Sequence, residues 1–248
     1  MISIRKIESN GKKINDINDW KVNAHPKKSM QWVPNHSAME FAFFILNVEK
    51  NELQSIKNPD VFEKAIKEFT NCDDFDFYAE YETKLVTDDY DFYIKNGRQH
   101  DGLMVGNDIV IGIEAKATES LDTYLGDKPI YDCLPSHIKR YHDMTKAITG
   151  RSALDCEKIR YQLLSGTAGT IIEAHNRNMK KALFLLITLK TCLVKDQMID
   201  RNERDIRDFL SLLKKDKDGS YQTPLSDELG IKLYVKHIVI DVFKSHNK

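Results

Sequence analysis

Residues 101–116 read DGLMVGNDIVIGIEAK, two apolar runs meeting across Gly106-Asn107. A Gly-Asn step between two such runs is a hairpin signal. Along the second strand, side chains alternate faces. Ile109, Ile111, Ile113 and Ala115 share one face, and Val110, Gly112, Glu114 and Lys116 share the other. The turn folds the first strand back, so Asp101 returns towards Glu114 and Lys116. Register decides whether it shares their face. An apolar strand does not end in charged groups without solvent, a partner or a metal to receive them. Gly112 leaves room on that face for close approach of a ligand or another backbone. The plainer reading makes Asp101 a turn cap and Glu114–Lys116 an exposed ion pair at a sheet edge.

Around this hairpin the pattern is mixed. Ser37 and Glu40 in SAMEFAFFILNVEK form an S-x-x-E capping box ahead of Phe41, Phe44, Ile45 and Val48 at helical spacing. A second helix is expected from Pro59 through VFEKAIKEF. From Phe75 the period becomes two, through FDFYAEYETKLV and DYDFYI, with a turn at Asn96-Gly97. A meander over roughly 75–116 is expected. Helices follow in SHIKRYHDMTKAI and over about 155–178, where Gly166 and Gly169 allow close helix packing. KALFLLITLK reads as a buried strand, RNERDIRDFLSLLKK as an amphipathic helix, and KLYVKHIVIDVF as a closing strand. The expected class is α/β or α+β, a mixed central sheet flanked by helices.

Neither repeat nor low-complexity linker divides the 248 residues, and one domain over 1–248 is expected. A formal net charge of -1 argues against coating nucleic acid by bulk positive charge. Residues 60–91 carry 11 Asp and Glu against 3 Lys, so the remainder is net basic and leaves room for a local basic surface. Four separated cysteines (Cys72, Cys133, Cys156, Cys192) without a CxxC pair read as reduced thiols. No apolar run marks a signal peptide or a membrane span. A cytoplasmic protein is expected, with no membrane partner.

Two convergent carboxylates suit a hard divalent cation such as Mg2+, with Mn2+ as its substitute, and the Ala115 carbonyl is a candidate further ligand. A lysine beside them stabilises charge on a phosphate or helps activate water, a combination suited to phosphodiester hydrolysis.

Asp101, twelve intervening residues and then Glu114-Ala115-Lys116 resemble the D…(D/E)xK motif of the PD-(D/E)xK nuclease superfamily. His100 stands where that motif often has proline. The resemblance covers roughly 35–190, with 191–248 completing the fold. It implies a restriction-endonuclease-like core, Asp101 and Glu114 as Mg2+ ligands, and Lys116 as the catalytic lysine. The activity implied is a DNA endonuclease of restriction or defence type.

Two further places in that family have candidates here. Glu40 fits a metal-site glutamate on the helix before the sheet, with the capping box as its alternative. Gln162 in IRYQLL fits a catalytic glutamine on a later helix, with a solvated helix face as its alternative. Lys139, Arg140, Arg160 and Tyr161 are candidates for nucleic-acid contact. Two other functions stay open: a nuclease fold kept as a nucleic-acid- or protein-binding module, and a hydrolase of small phosphodiesters. DNA versus RNA and a homodimer are also left open.

Overall fold

The run Ile109–Lys116 forms β5 with all eight residues buried, as a continuous apolar strand requires when both faces are covered. The computed structural model describes residues 2–24, 32–50, 52, 56–58, 60–87, 92, 97–127 and 135–242. Antiparallel β4 (Arg98–Val105) lies on one side of β5 and parallel β6 (Lys181–Lys190) on the other. The remaining described strands are β1 (Ser3–Ser9), β2 (Lys12–Lys13), β3 (Asp74–Thr83), β7 (Lys214–Lys215), β8 (Tyr221–Gln222) and β9 (Lys232–Asp241). Together they make one mixed nine-stranded sheet, ordered β2-β1-β3-β4-β5-β6-β9-β8-β7.

Helices cover both faces. On one side α1 (Ile17–Asn23), α2 (Ser37–Lys50) and α3 (Asp60–Lys67) bury Trp20, Phe41, Phe44 and Phe62 against Phe77, Ile111 and Ile113. On the other side lie α4 (Pro135–Thr149), α5 (Tyr161–Asn176), α6 (Asp196–Leu210) and α7 (Pro224–Leu229). There Leu163, Leu164, Ile171 and Phe209 pack with Leu103, Val110 and Phe184. Each fully buried Phe or Leu contributes roughly 1.5–3 kcal/mol relative to leaving it exposed. The class is mixed α/β.

Several local expectations change. The S-x-x-E box does not close on itself. Ser37 donates its backbone N–H and hydroxyl to Glu119, and Glu40 turns back to accept the Asn35 N–H at 2.7 Å. The chain before α2 curls under the helix, so Asn35 takes the glutamate that the box assigns to the cap. The helix expected over 155–178 is two pieces. A 3-10 turn at Leu154–Cys156 is followed by extended Arg160 (φ -71°, ψ 128°), from which α5 starts. The amphipathic helix starts earlier than its pattern, at Asp196, and stops at Leu210. β1, β2 and α1 form where no element was expected. The turn residue Asn96, most of DYDFYI, Pro59 and Cys133 lie outside the described residues. Cys72, Cys156 and Cys192 are free thiols. No described helix is long and apolar enough to cross a membrane.

Glycines in α5 set how closely it lies on the sheet. A Cβ on Gly166 would come within 2.3 Å of Phe184, and one on Gly169 within 2.8 Å of His100.

Candidate active site

Register answers the question the hairpin raised. The β4–β5 ladder runs from Val105↔Val110 to Gly102↔Ile113 and stops there. Continued antiparallel pairing would bond Ala115 to the His100 backbone. Instead the Ala115 N–H donates to Oδ2 of Asp101 at 2.7 Å. A residue's N–H and C=O point to the same edge of its strand, so the Ala115 carbonyl also faces the opened β4 side.

Alternation in β4 fails at the same point. A Cβ on Gly102 would meet Phe77 and Phe41 in the first core, whereas His100, two residues away, lies against Gly112 and Gly169 on the α5 side. Opposite this break, on β3, Glu80 has φ +49°, in the left-handed region that non-glycine residues avoid. The irregularity rotates Arg98 and His100 onto the face of Glu114.

Asp101, Glu114 and Lys116 therefore open on one cavity of about 410 Å3, with Arg98, Tyr161 and Gln162 also in its wall. Glu114 is 2% exposed and Lys116 8%. One Glu114 oxygen accepts from Arg98 and the other from Lys116. The ion pair of the plainer reading thus exists, buried in a cavity wall and joined by a second cation.

Burial, helped by the Glu114 charge, pushes the Asp101 carboxyl up to about 7 against Lys116, the Ala115 N–H and Arg98. Burial also acts to raise Glu114, but Lys116 and Arg98 outweigh it and hold that carboxyl below its usual range. For Lys116, burial opposes the charge, yet Glu114 and Asp101 hold the ammonium above its ordinary value. Lys116 is therefore a charged donor at neutral pH, not a free base. His100 is fully buried, with no hydrogen-bond partner for either ring nitrogen. Burial, with Arg98 repelling a second positive charge, drives its imidazole down to about 3.

The other candidates divide. Gln162 and Tyr161 reach the cavity from the first turn of α5. Oε1 of Gln162 is buried without a hydrogen-bond partner. Arg140 lines the cavity from α4, its guanidinium 6.0 Å from the Tyr161 ring centroid. Lys139 is exposed on α4, pairs with Asp143, and is not part of the wall. Glu40 is 2% exposed, faces Asn35 and does not line the cavity.

Arg160 is turned away as well. Its Nε bonds Asp205 at 2.7 Å, its Nη1 bonds the Asp122 carbonyl at 2.8 Å, and it stacks 3.5 Å over Tyr124. It anchors the cavity-lining loop to α6 and is not part of the cavity wall. Asp205→Ala should cost about 3–5 kcal/mol in chemical denaturation, since it leaves a buried guanidinium uncompensated. A cost under about 1 kcal/mol would contradict this role for the pair.

Sequence reasoning missed Arg98 and Glu119. The latter lines the cavity and clasps α2 through Ser37 and His36 while accepting the Ala117 N–H. Its signal was its place three residues beyond Lys116, where β5 ends. Arg98 carried no such signal, because alternation from Leu103 sends it to the opposite face.

Two carboxylates and a free-edge carbonyl are a hard-oxygen donor set, and Oδ1 of Asp101 carries no hydrogen bond. Among the described residues no cluster of three or more His, Cys, Asp or Glu forms a ready cage.

The model of a family described as a domain of unknown function (DUF6946) matches residues 13–241. The chain belongs to the DUF6946 family. The match runs from Lys13 in β2 through β9, leaving β1 outside, and includes every residue that lines the cavity. No curated protein and no solved structure matches the chain.

Proposed function

We propose that this DUF6946 protein is a divalent-cation-dependent phosphodiesterase that cleaves DNA as an endonuclease, as its D…ExK pattern implies. The observation that carries this reading is the broken ladder. Asp101 and Glu114, from two strands of one hairpin, open on a single cavity beside Lys116, with Oδ1 of Asp101 free and the Ala115 carbonyl on the opened edge.

Asp101 Oδ1, Glu114 and the Ala115 carbonyl would hold Mg2+ or Mn2+, which supplies Lewis acidity at the scissile phosphate. Lys116, kept protonated by its two carboxylate neighbours, donates to a non-bridging phosphate oxygen and orients the attacking water. Gln162 offers an amide from α5 to the same phosphate. Tyr161 and Arg140 present a ring and a charge to the flanking nucleotide. Hydrolysis adds water across the P–O3′ bond, and the strand leaves as a 3′-hydroxyl.

The test is cleavage of plasmid, linear duplex and single-stranded DNA and of RNA, with and without Mg2+ or Mn2+. Asp101→Asn, Glu114→Gln and Lys116→Ala should each lose at least about 100-fold in rate. Metal-independent cleavage, or cleavage unchanged in Asp101→Asn, would overturn the assignment.

A second reading, a binding module with little catalysis, is favoured by one observation: both Glu114 oxygens are already occupied by cationic side chains. It predicts oligonucleotide or protein binding with no turnover in any metal. Turnover of a small aryl phosphodiester but of no polymer would instead point to a small-molecule hydrolase.

A further inference from the structure

Arg98 is more than 90% buried, yet its guanidinium makes one side-chain hydrogen bond, from Nη2 to Glu114. Its Nε is buried with no partner. An arginine cannot shed its charge, and its fork of five N–H donors matches a carboxylate or a phosphate. A buried guanidinium with most of its donors idle is therefore underused where it stands. Lys116 already bonds the other Glu114 oxygen, so Arg98 competes with a cation for the oxygen that Lys116 leaves open.

The wall also carries Glu80, Glu119 and Asp122 beside Arg140. With Asp101 and Glu114 these make five carboxylates against three basic side chains. Such a wall receives a cation first and an anion only once that cation is in place.

We propose that Arg98 exchanges partners: it neutralises Glu114 in the free protein, and when a divalent cation binds it turns its guanidinium to the phosphate of an anionic substrate. This rests on the phosphodiesterase reading and deepens it, because it makes Arg98 both a competitor of the cation and a positioning residue for the phosphate. No bond is made or broken in the exchange. The apparent cation affinity of the free protein is lowered by the fraction of molecules in which Glu114 is held by Arg98.

The experiment measures Mn2+ binding by calorimetry, and binding of a labelled DNA oligonucleotide by anisotropy in Ca2+, for wild type, R98Q, R98K and D101N. R98Q should bind Mn2+ about tenfold tighter, because the competing charge is gone. It should bind the oligonucleotide about tenfold more weakly, because the fork is gone. R98K keeps a cation but not the fork. It should bind Mn2+ like wild type and lose oligonucleotide affinity, a split that a purely structural ion pair would not produce. Equal or weaker Mn2+ binding in R98Q, or unchanged oligonucleotide binding in both Arg98 variants, overturns the exchange. If D101N abolishes Mn2+ binding while R98Q does not strengthen it, the exchange alone fails. If neither wild type nor R98Q binds Mn2+, the phosphodiesterase reading falls with it.

Discussion

Asp101→Asn should make the metal-free protein more stable at pH 8 while removing the cation-dependent cleavage proposed for it. Asp101 titrates at about 7 in the fold against 3.8 as its reference, because burial and Glu114 disfavour its charged form. An acid whose folded pKa is raised adds stability below its unfolded pKa. That contribution is lost as pH climbs through the folded value. The window is therefore pH 4 to 7. Across it the linkage amounts to on the order of 4 kcal/mol as an upper bound, at about 1.4 kcal/mol per unit. Asn can still accept the Ala115 N–H while carrying no charge. In urea unfolding the variant should match wild type near pH 4 and exceed it by about 2 kcal/mol or more at pH 8. Saturating Mn2+ should shrink the gap by stabilising only wild type. A difference that does not change between pH 4 and pH 8 would mean Asp101 is not held against ionisation.

The second large effect is expected away from any charge. A Cβ on Gly112 would lie 2.2 Å from Oγ1 of Thr170 and 3.0–3.1 Å from the His100 ring. Thr170 cannot simply swing away, because its hydroxyl donates to the Gly166 carbonyl at 2.7 Å within α5. Gly112→Ala must lift α5 from the sheet or displace His100, at a cost of about 3 kcal/mol. Because α5 also brings Gln162 and Tyr161 to the cavity, activity should fall in the fraction that remains folded. Thr170→Ala in the same chain should recover part of the loss, a coupling that a double-mutant cycle reads directly. A Gly112→Ala protein with an unchanged denaturation midpoint would refute the close approach.

These two residues mark what the sequence could and could not convey. Strand parity put Ile109, Ile111, Ile113 and Ala115 in one core and Glu114 with Lys116 on the other face, and the structure has both. Room at Gly112, and close packing through Gly166 and Gly169, were equally legible, because a glycine on a buried face reports its neighbour's proximity. Arg98 was invisible because period two holds only while the ladder does. The break at Asp101, opposite a left-handed Glu80, reverses the faces of Arg98 and His100. The Ser37–Glu40 box misled for a related reason. A local pattern cannot register that Glu119, distant in sequence, arrives at the end of β5 to serve the same helix start. Arg160 looked like a ligand contact because its partner Asp205 lies 45 positions on.

The strand β9 lies between β6 and β8, inside the sheet and not at its edge, and Asp205 of α6 pins the loop that carries Asp122. The charged residues that line the cavity all lie between Glu80 and Arg140, but its scaffold extends well beyond them. A piece ending near residue 190 would keep every charged group of the cavity, expose the flank of β6 and release the loop. In this architecture the cavity is not a transferable module. Its shape is a property of the whole chain, and insertions or cuts in the last third are, in effect, changes to the cavity.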